Sequence, residues 1–120
     1  MNNYKELKIW QKSVDLAVSI YDVTKNFPRE ELYGLTSQLR RCAVSIPSNI
    51  AEGAGRNTKK DFNNFLGISN GSSCELETQL IIAHRINFID ISVLESVQQE
   101  IVEIQKMNWS LKKSLNLTQD

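Results

Sequence analysis

A chain of 120 residues with 41% apolar and 23% charged side chains reads as a single domain, residues 1–120, large enough to bury a core without metals or disulfides. That composition excludes a disordered chain, and no apolar run nears the roughly 18 residues that mark a membrane-spanning helix. Fourteen Lys+Arg balance 14 Asp+Glu, so the overall positive charge that non-specific nucleic-acid binding draws on is absent, and any basic surface must be local.

The opening Met1-Asn2-Asn3-Tyr4-Lys5 lacks the apolar region of a secretory signal, which leads to the expectation of a cytoplasmic protein. A first helical block is predicted from about Glu6 to Asn26. Lys8, Gln11, Lys12, Asp15, Ser19, Asp22 and Asn26 fall on one polar stripe. Ile9, Trp10, Val14, Leu16, Ala17, Val18, Ile20, Tyr21 and Val23 fill an apolar arc of roughly 220°, about twice what a one-sided surface helix needs. Such a helix calls for cover on two sides, by the bundle and by a second subunit.

Phe27-Pro28 ends this block, and Glu30 and Glu31 are placed to sit at the positive end of the next. The second block is predicted over Arg29 to Ala54, with Leu35, Leu39, Cys42, Ala43, Ile46, Ile50 and Ala54 on its apolar stripe. Pro47 lies inside it and predicts a kink or a break, because proline removes one backbone bond and crowds the carbonyl of Ala43. Gly53-Ala54-Gly55 reads as a glycine C-cap.

The third block opens on Thr58-Lys59-Lys60-Asp61, close to a capping box, and is predicted to reach about Asn87. Gly67 to Ser73 is small and polar. Two readings suit it: close approach by another helix backbone, or a local break. The fourth block is predicted to start with Ser92 and Glu95 as a capping box. Leu94, Val97, Ile101, Ile104, Asn108, Leu111 and Leu115 then form a heptad seam with Asn108 as its polar member, a residue that can fix register or partner number. Leu117 to Asp120 reads as a frayed tail. Four long blocks with short links predict an all-α, antiparallel up-down-up-down four-helix bundle, its second helix kinked near Pro47.

Cys42 and Cys74 are too few for a disulfide framework and are expected to be reduced and buried. The search for catalytic chemistry finds one histidine, His84, no Cys-x-x-Cys, no Glu-x-x-His and no phosphate-binding glycine loop. A protein that is not an enzyme and holds no metal or cofactor is therefore expected. Residues 1–60 hold 10 Lys+Arg against 6 Asp+Glu, and residues 61–120 hold 4 against 8. The asymmetry fits either a basic binding face or complementary helices packing together.

The second block concentrates the polar signal. Arg41, Ser45, Asn49, Glu52 and Arg56 recur at steps of 4, 4, 3 and 4 and share a face, with Arg40 beside them. Arg40, Arg41, Arg56, Lys59 and Lys60 are candidates to hold phosphates. The competing reading is a structural network in which Arg41, Ser45, Asn49 and Glu52 join Glu75 and Glu77 of the third block.

The stretch from Phe27 to Leu80 resembles a known family. It carries Phe27-Pro28, Gln38-Leu39-Arg40-Arg41, Ser45-Ile46-Pro47-Ser48-Asn49-Ile50-Ala51-Glu52-Gly53, and Gly71-Ser72 leading to Glu75-Leu76-Glu77-Thr78-Gln79-Leu80. The family consists of small bacterial four-helix bundles encoded in intervening sequences of large-subunit ribosomal RNA genes and often labelled ribosomal proteins. The resemblance implies an up-down bundle that assembles with itself as a ring, a homopentamer. It also implies similarity to the accessory proteins of diversity-generating retroelements, which are strongly basic and bind nucleic acid and a reverse transcriptase; this chain departs from them in its zero net charge. The expectation is an oligomeric, non-enzymatic module that binds RNA, or a nucleic-acid-binding protein, through the second block and its junction with the third. The alternative is a protein–protein scaffold with no nucleic-acid role.

Overall fold

Local chemistry sets where each helix starts. In the computed structural model, which describes residues 3–117, a 3₁₀ turn over Tyr4–Glu6 leads into α1 (Lys8–Thr24). A second 3₁₀ turn, Arg29–Glu31, precedes α2 (Leu35–Ala54), so the second predicted block divides at Gly34. The Glu31 carboxylate accepts from the backbone N–H of Leu35 at 3.1 Å and supplies the cap that Gly34 cannot. Thr58 caps α3 (Lys59–Arg85) as predicted, accepting from Asp61 N–H at 3.1 Å. For α4 (Ile91–Ser114) the cap is Asp90, not Ser92. Its carboxylate accepts from Val93 N–H at 2.9 Å, and the Ser92 hydroxyl donates to it at 2.7 Å. Those bonds favour the charged form and hold the Asp90 carboxyl below the usual range.

α2 continues through the buried Pro47, so of the kink or break expected there, the break does not occur. α3 is also continuous. It ends where Asn87 takes a left-handed φ of 67° and Phe88 N–H returns to the Ala83 carbonyl at 2.8 Å, the bond pattern of a Schellman stop. Gly55 closes α2 at φ −82°, an ordinary right-handed value, so its glycine is not needed for a left-handed cap. Of the tail expected to fray, Leu117 packs against the core; Thr118, Gln119 and Asp120 lie outside the described residues.

The four helices form a ring in which α1 touches α2 and α4, and α3 touches α2 and α4. The cross-links run in opposite chain directions along the α2–α3 and α3–α4 seams. Arg40 meets Thr24, Cys42 meets Ser72, Ile46 meets Ser69, Gln105 meets Ser73, and Asn108 meets Leu66. This is an all-α, up-down-up-down antiparallel four-helix bundle measuring 45 × 25 × 21 Å, with no strand among the described residues. Its core holds Leu16 and Ile20 of α1, Leu39, Ile46 and Ile50 of α2, Leu66, Leu76 and Leu80 of α3, and Ile101 of α4, all fully buried.

Close packing concentrates between α2 and α3, where Ser69 of the expected Gly67–Ser73 stretch takes part together with Gly53 of α2. A Cβ added at Gly53 would lie 2.7 Å from Phe65 Cβ, so the glycine lets the two helices meet. Ser69 faces the same seam and donates to the Ile46 carbonyl at 3.0 Å. Gly67 and Gly71 do not serve this contact: a Cβ at Gly67 would meet only Lys112 Nζ, at 3.7 Å, and one at Gly71 would meet nothing within 4 Å. The α4 seam is buried at Leu94, Val97, Ile101, Ile104, Asn108 and Leu115. Asn108 donates to the Leu66 carbonyl at 2.9 Å, tying α4 to α3 within the chain.

Candidate functional site

The five candidate phosphate-binding residues separate into two groups. Arg40 points across to α1, where its Nε donates to Thr24 Oγ1 at 2.8 Å and its guanidinium lies 4.6 Å from the centre of the Tyr21 ring. Thr24 passes the link on, donating to the Ile20 carbonyl at 2.7 Å. Arg40 is thus half-buried and engaged in joining α1 to α2. Arg41, one residue on and about 100° around the helix, lies exposed in a groove between α2 and α3 with Gln38, Cys42, Ser45, Ser72, Glu75 and Gln79. It makes no ion pair or hydrogen bond among the described residues.

The remaining three cluster at the turn from α2 to α3. Arg56 pairs with Glu52 at 3.0 Å and stacks over the Phe65 ring at 4.8 Å. Lys59 and Lys60 are exposed in the first turn of α3, and among the described residues neither meets a carboxylate within ion-pair distance.

The proposed polar network also separates into pieces. Asn49 donates to the Ser45 carbonyl and hydroxyl at 2.8 and 2.9 Å, and Ser45 Oγ lies 2.9 Å from Ser72 Oγ. Glu75 accepts from the Cys42 thiol at 3.6 Å, and Glu77 accepts from Gln98 at 3.2 Å. Among the described residues no arginine pairs with Glu75 or Glu77. Burial, together with the neighbouring Glu75 charge, pushes the Cys42 thiol up to about 12, so it carries no thiolate at neutral pH and has no nucleophilic role there. Cys74 departs from expectation: it is exposed, on the α3 face toward α4. Among the described residues no group of three His, Cys, Asp or Glu side chains is placed to hold a metal, and no helix is long and apolar enough to cross a membrane.

Antiparallel packing gives the charge asymmetry a direction that the linear chain hides. The start of α1, the α2–α3 turn and the end of α4 lie together at one end of the bundle. With each helix divided at its midpoint, this end holds nine Lys+Arg against five Asp+Glu among the described residues, and the opposite end holds five against eight. Internal pairing does not consume the difference. Of the three ion pairs among the described residues, only Lys12–Glu103 joins the α1–α2 half to the α3–α4 half.

The sequence reading missed a second feature at this positive end. A groove of about 860 Å³ runs between the first half of α3 and the last half of α4. Asn63, Asn70, Cys74, Gln105, Asn108, Lys112 and Lys113 line it, and Trp109, 63% exposed, stands at its edge. The available signal was the position of Trp109 itself, next to the seam residue Asn108 and therefore rotated out of the core.

The relatives agree with this architecture. A family model described as 23S rRNA-intervening sequence protein matches residues 5–110. A crystal structure of a protein with unknown function from the S23 ribosomal protein family of Bacteroides thetaiotaomicron superposes with a TM-score of 0.81. It is 29% identical over 88% of this chain and 95% of its own. None of the curated proteins matches the chain.

Proposed function

This chain belongs to the 23S rRNA-intervening sequence protein family, and from that premise we propose that it is a non-enzymatic module that binds RNA through the positive end of its bundle. Arg56, Lys59 and Lys60 form the centre of that surface, with Lys112 and Lys113 of α4 beside it. The observation that carries the reading is the placement of Lys59 and Lys60. Cations in the first turn of a helix oppose its macrodipole at a cost of about 0.3–1 kcal/mol each; Asp61 shares that turn, but among the described residues no carboxylate pairs with either lysine. A phosphate would reverse the sign of that cost, because exposed backbone N–H groups and ammonium groups would then face one anion. Zero net charge is compatible with this surface, since it is the local end that meets the backbone.

Replacing Lys59 and Lys60 together with Ala is expected to lower affinity for a structured RNA about tenfold near 0.1 M salt, read by fluorescence anisotropy. Unchanged affinity in the folded double variant would overturn the assignment of this surface.

Self-association belongs to the same proposal. The bundle buries Ile9, Ser13, Leu16, Ala17 and Ile20 of α1 but leaves Val18 and Tyr21 64% and 47% exposed. That is the part of the wide apolar arc which a single chain does not cover. A ring of five copies, the state the family resemblance implies, is expected to sediment with a mass near five times 13.7 kDa. A monomer at micromolar concentration would contradict it. A partner retained from lysate after nuclease treatment would favour the scaffold reading instead.

A further inference from the structure

The geometry points to a site for an unpaired nucleotide of single-stranded RNA in the α3–α4 groove, its base stacked on Trp109 and its edge read by the amide oxygens of Asn108 and Gln105. This rests on the RNA-binding reading and locates where a base, rather than a phosphate, is held. Asn108 is 3% exposed yet lines the groove. Its amide nitrogen is committed to the Leu66 carbonyl, a partner that only accepts, so its orientation is fixed. Oδ1 is left without a donor among the described residues.

Gln105 repeats the arrangement. Its Nε2 donates to Ser73 Oγ at 3.0 Å, and Ser73 spends its own proton on the Asn70 carbonyl at 2.6 Å. Gln105 Oε1 is therefore also free to accept. Two acceptors of fixed orientation suit the exocyclic amine of an adenine or cytosine. The other parts of a nucleotide site stand beside them. The exposed indole offers a stacking surface that the core does not use, and Lys113 Nζ lies 4.7 Å from its centre. Lys112 crosses to the α3 side of the groove near Gly67.

The test uses the full chain carrying Trp10→Phe, so that Trp109 is its one tryptophan. It is titrated with an eight-nucleotide oligoadenylate, with a blunt RNA duplex of equal phosphate count, and with AMP at equal nucleotide concentration. The expected result is quenching of Trp109 emission by the oligoadenylate. Trp109→Ala, at an exposed position that leaves the fold intact by circular dichroism, is expected to weaken oligoadenylate binding about tenfold and duplex binding less than twofold. Equal losses on both RNAs, or unchanged oligoadenylate binding, would overturn the groove site and leave the phosphate-binding end standing. Quenching by AMP as strong as by the oligoadenylate would overturn the RNA assignment in favour of a free nucleotide. Binding of neither RNA would overturn this site together with the reading beneath it.

Discussion

Arg40 and Arg41 are adjacent in the chain, and their difference comes from what neighbouring helices offer them. Arg40 finds a threonine hydroxyl and a tyrosine ring on α1; Arg41 shares a groove with Glu75 but makes no ion pair among the described residues. Periodicity shows which residues share a helix face, but it does not show which neighbouring helix that face meets. That is why the sequence placed both arginines in one cluster. Arg40→Ala is expected to lower stability by about 1–2 kcal/mol in urea denaturation while leaving RNA affinity unchanged. The two cysteines diverge for a similar reason. Cys42 is buried under Ser72 and Glu75 with its thiol held protonated, whereas Cys74 opens onto the α3–α4 groove. Iodoacetamide at pH 8 is expected to label Cys74 in the folded protein and Cys42 only after unfolding, as mass spectrometry of the peptides would report.

At the scale of the elements, the apolar stripes of α2, α3 and α4 were legible because a 3.6-residue period leaves few alternatives for long amphipathic segments. The boundaries were less so. Asp90 displaces Ser92 as the α4 cap because a carboxylate is the stronger acceptor at a helix N-terminus, and Glu31 caps α2 from within a 3₁₀ turn that the pattern did not reveal. The glycines show how composition can mislead. Within the small Gly67–Ser73 stretch it is Ser69, not Gly67 or Gly71, that joins Gly53 in the close α2–α3 approach. Gly53→Ala is expected to cost about 1–3 kcal/mol, because its Cβ would meet a Phe Cβ that cannot swing away. Gly71→Ala, in open space on a helix, is expected to stabilise by about 0.5–1 kcal/mol. Chemical denaturation of the two variants checks both signs.

On the scale of the whole molecule, neutrality and polarity coexist. The chain sums to zero, yet folding four helices antiparallel gathers cations from three separate segments at one end and acids at the other. The sequence disclosed half of this, as the excess of positive charge in residues 1–60. The rest required knowing that the α2–α3 turn and the end of α4 are neighbours. The same juxtaposition creates the groove beside Trp109, which no linear motif announces.

The most direct test of the positive end is the salt dependence of RNA binding. Affinity of the native chain for a structured RNA would be measured by anisotropy from 50 to 200 mM salt beside Arg40→Ala and the Lys59→Ala, Lys60→Ala double variant. Each lost phosphate contact reduces the slope of log K against log salt by about one. The slope is therefore expected to fall by about two in the lysine variant and to stay unchanged in the Arg40 variant. Equal slopes in all three proteins, or no binding at 50 mM salt, would contradict an RNA-binding end.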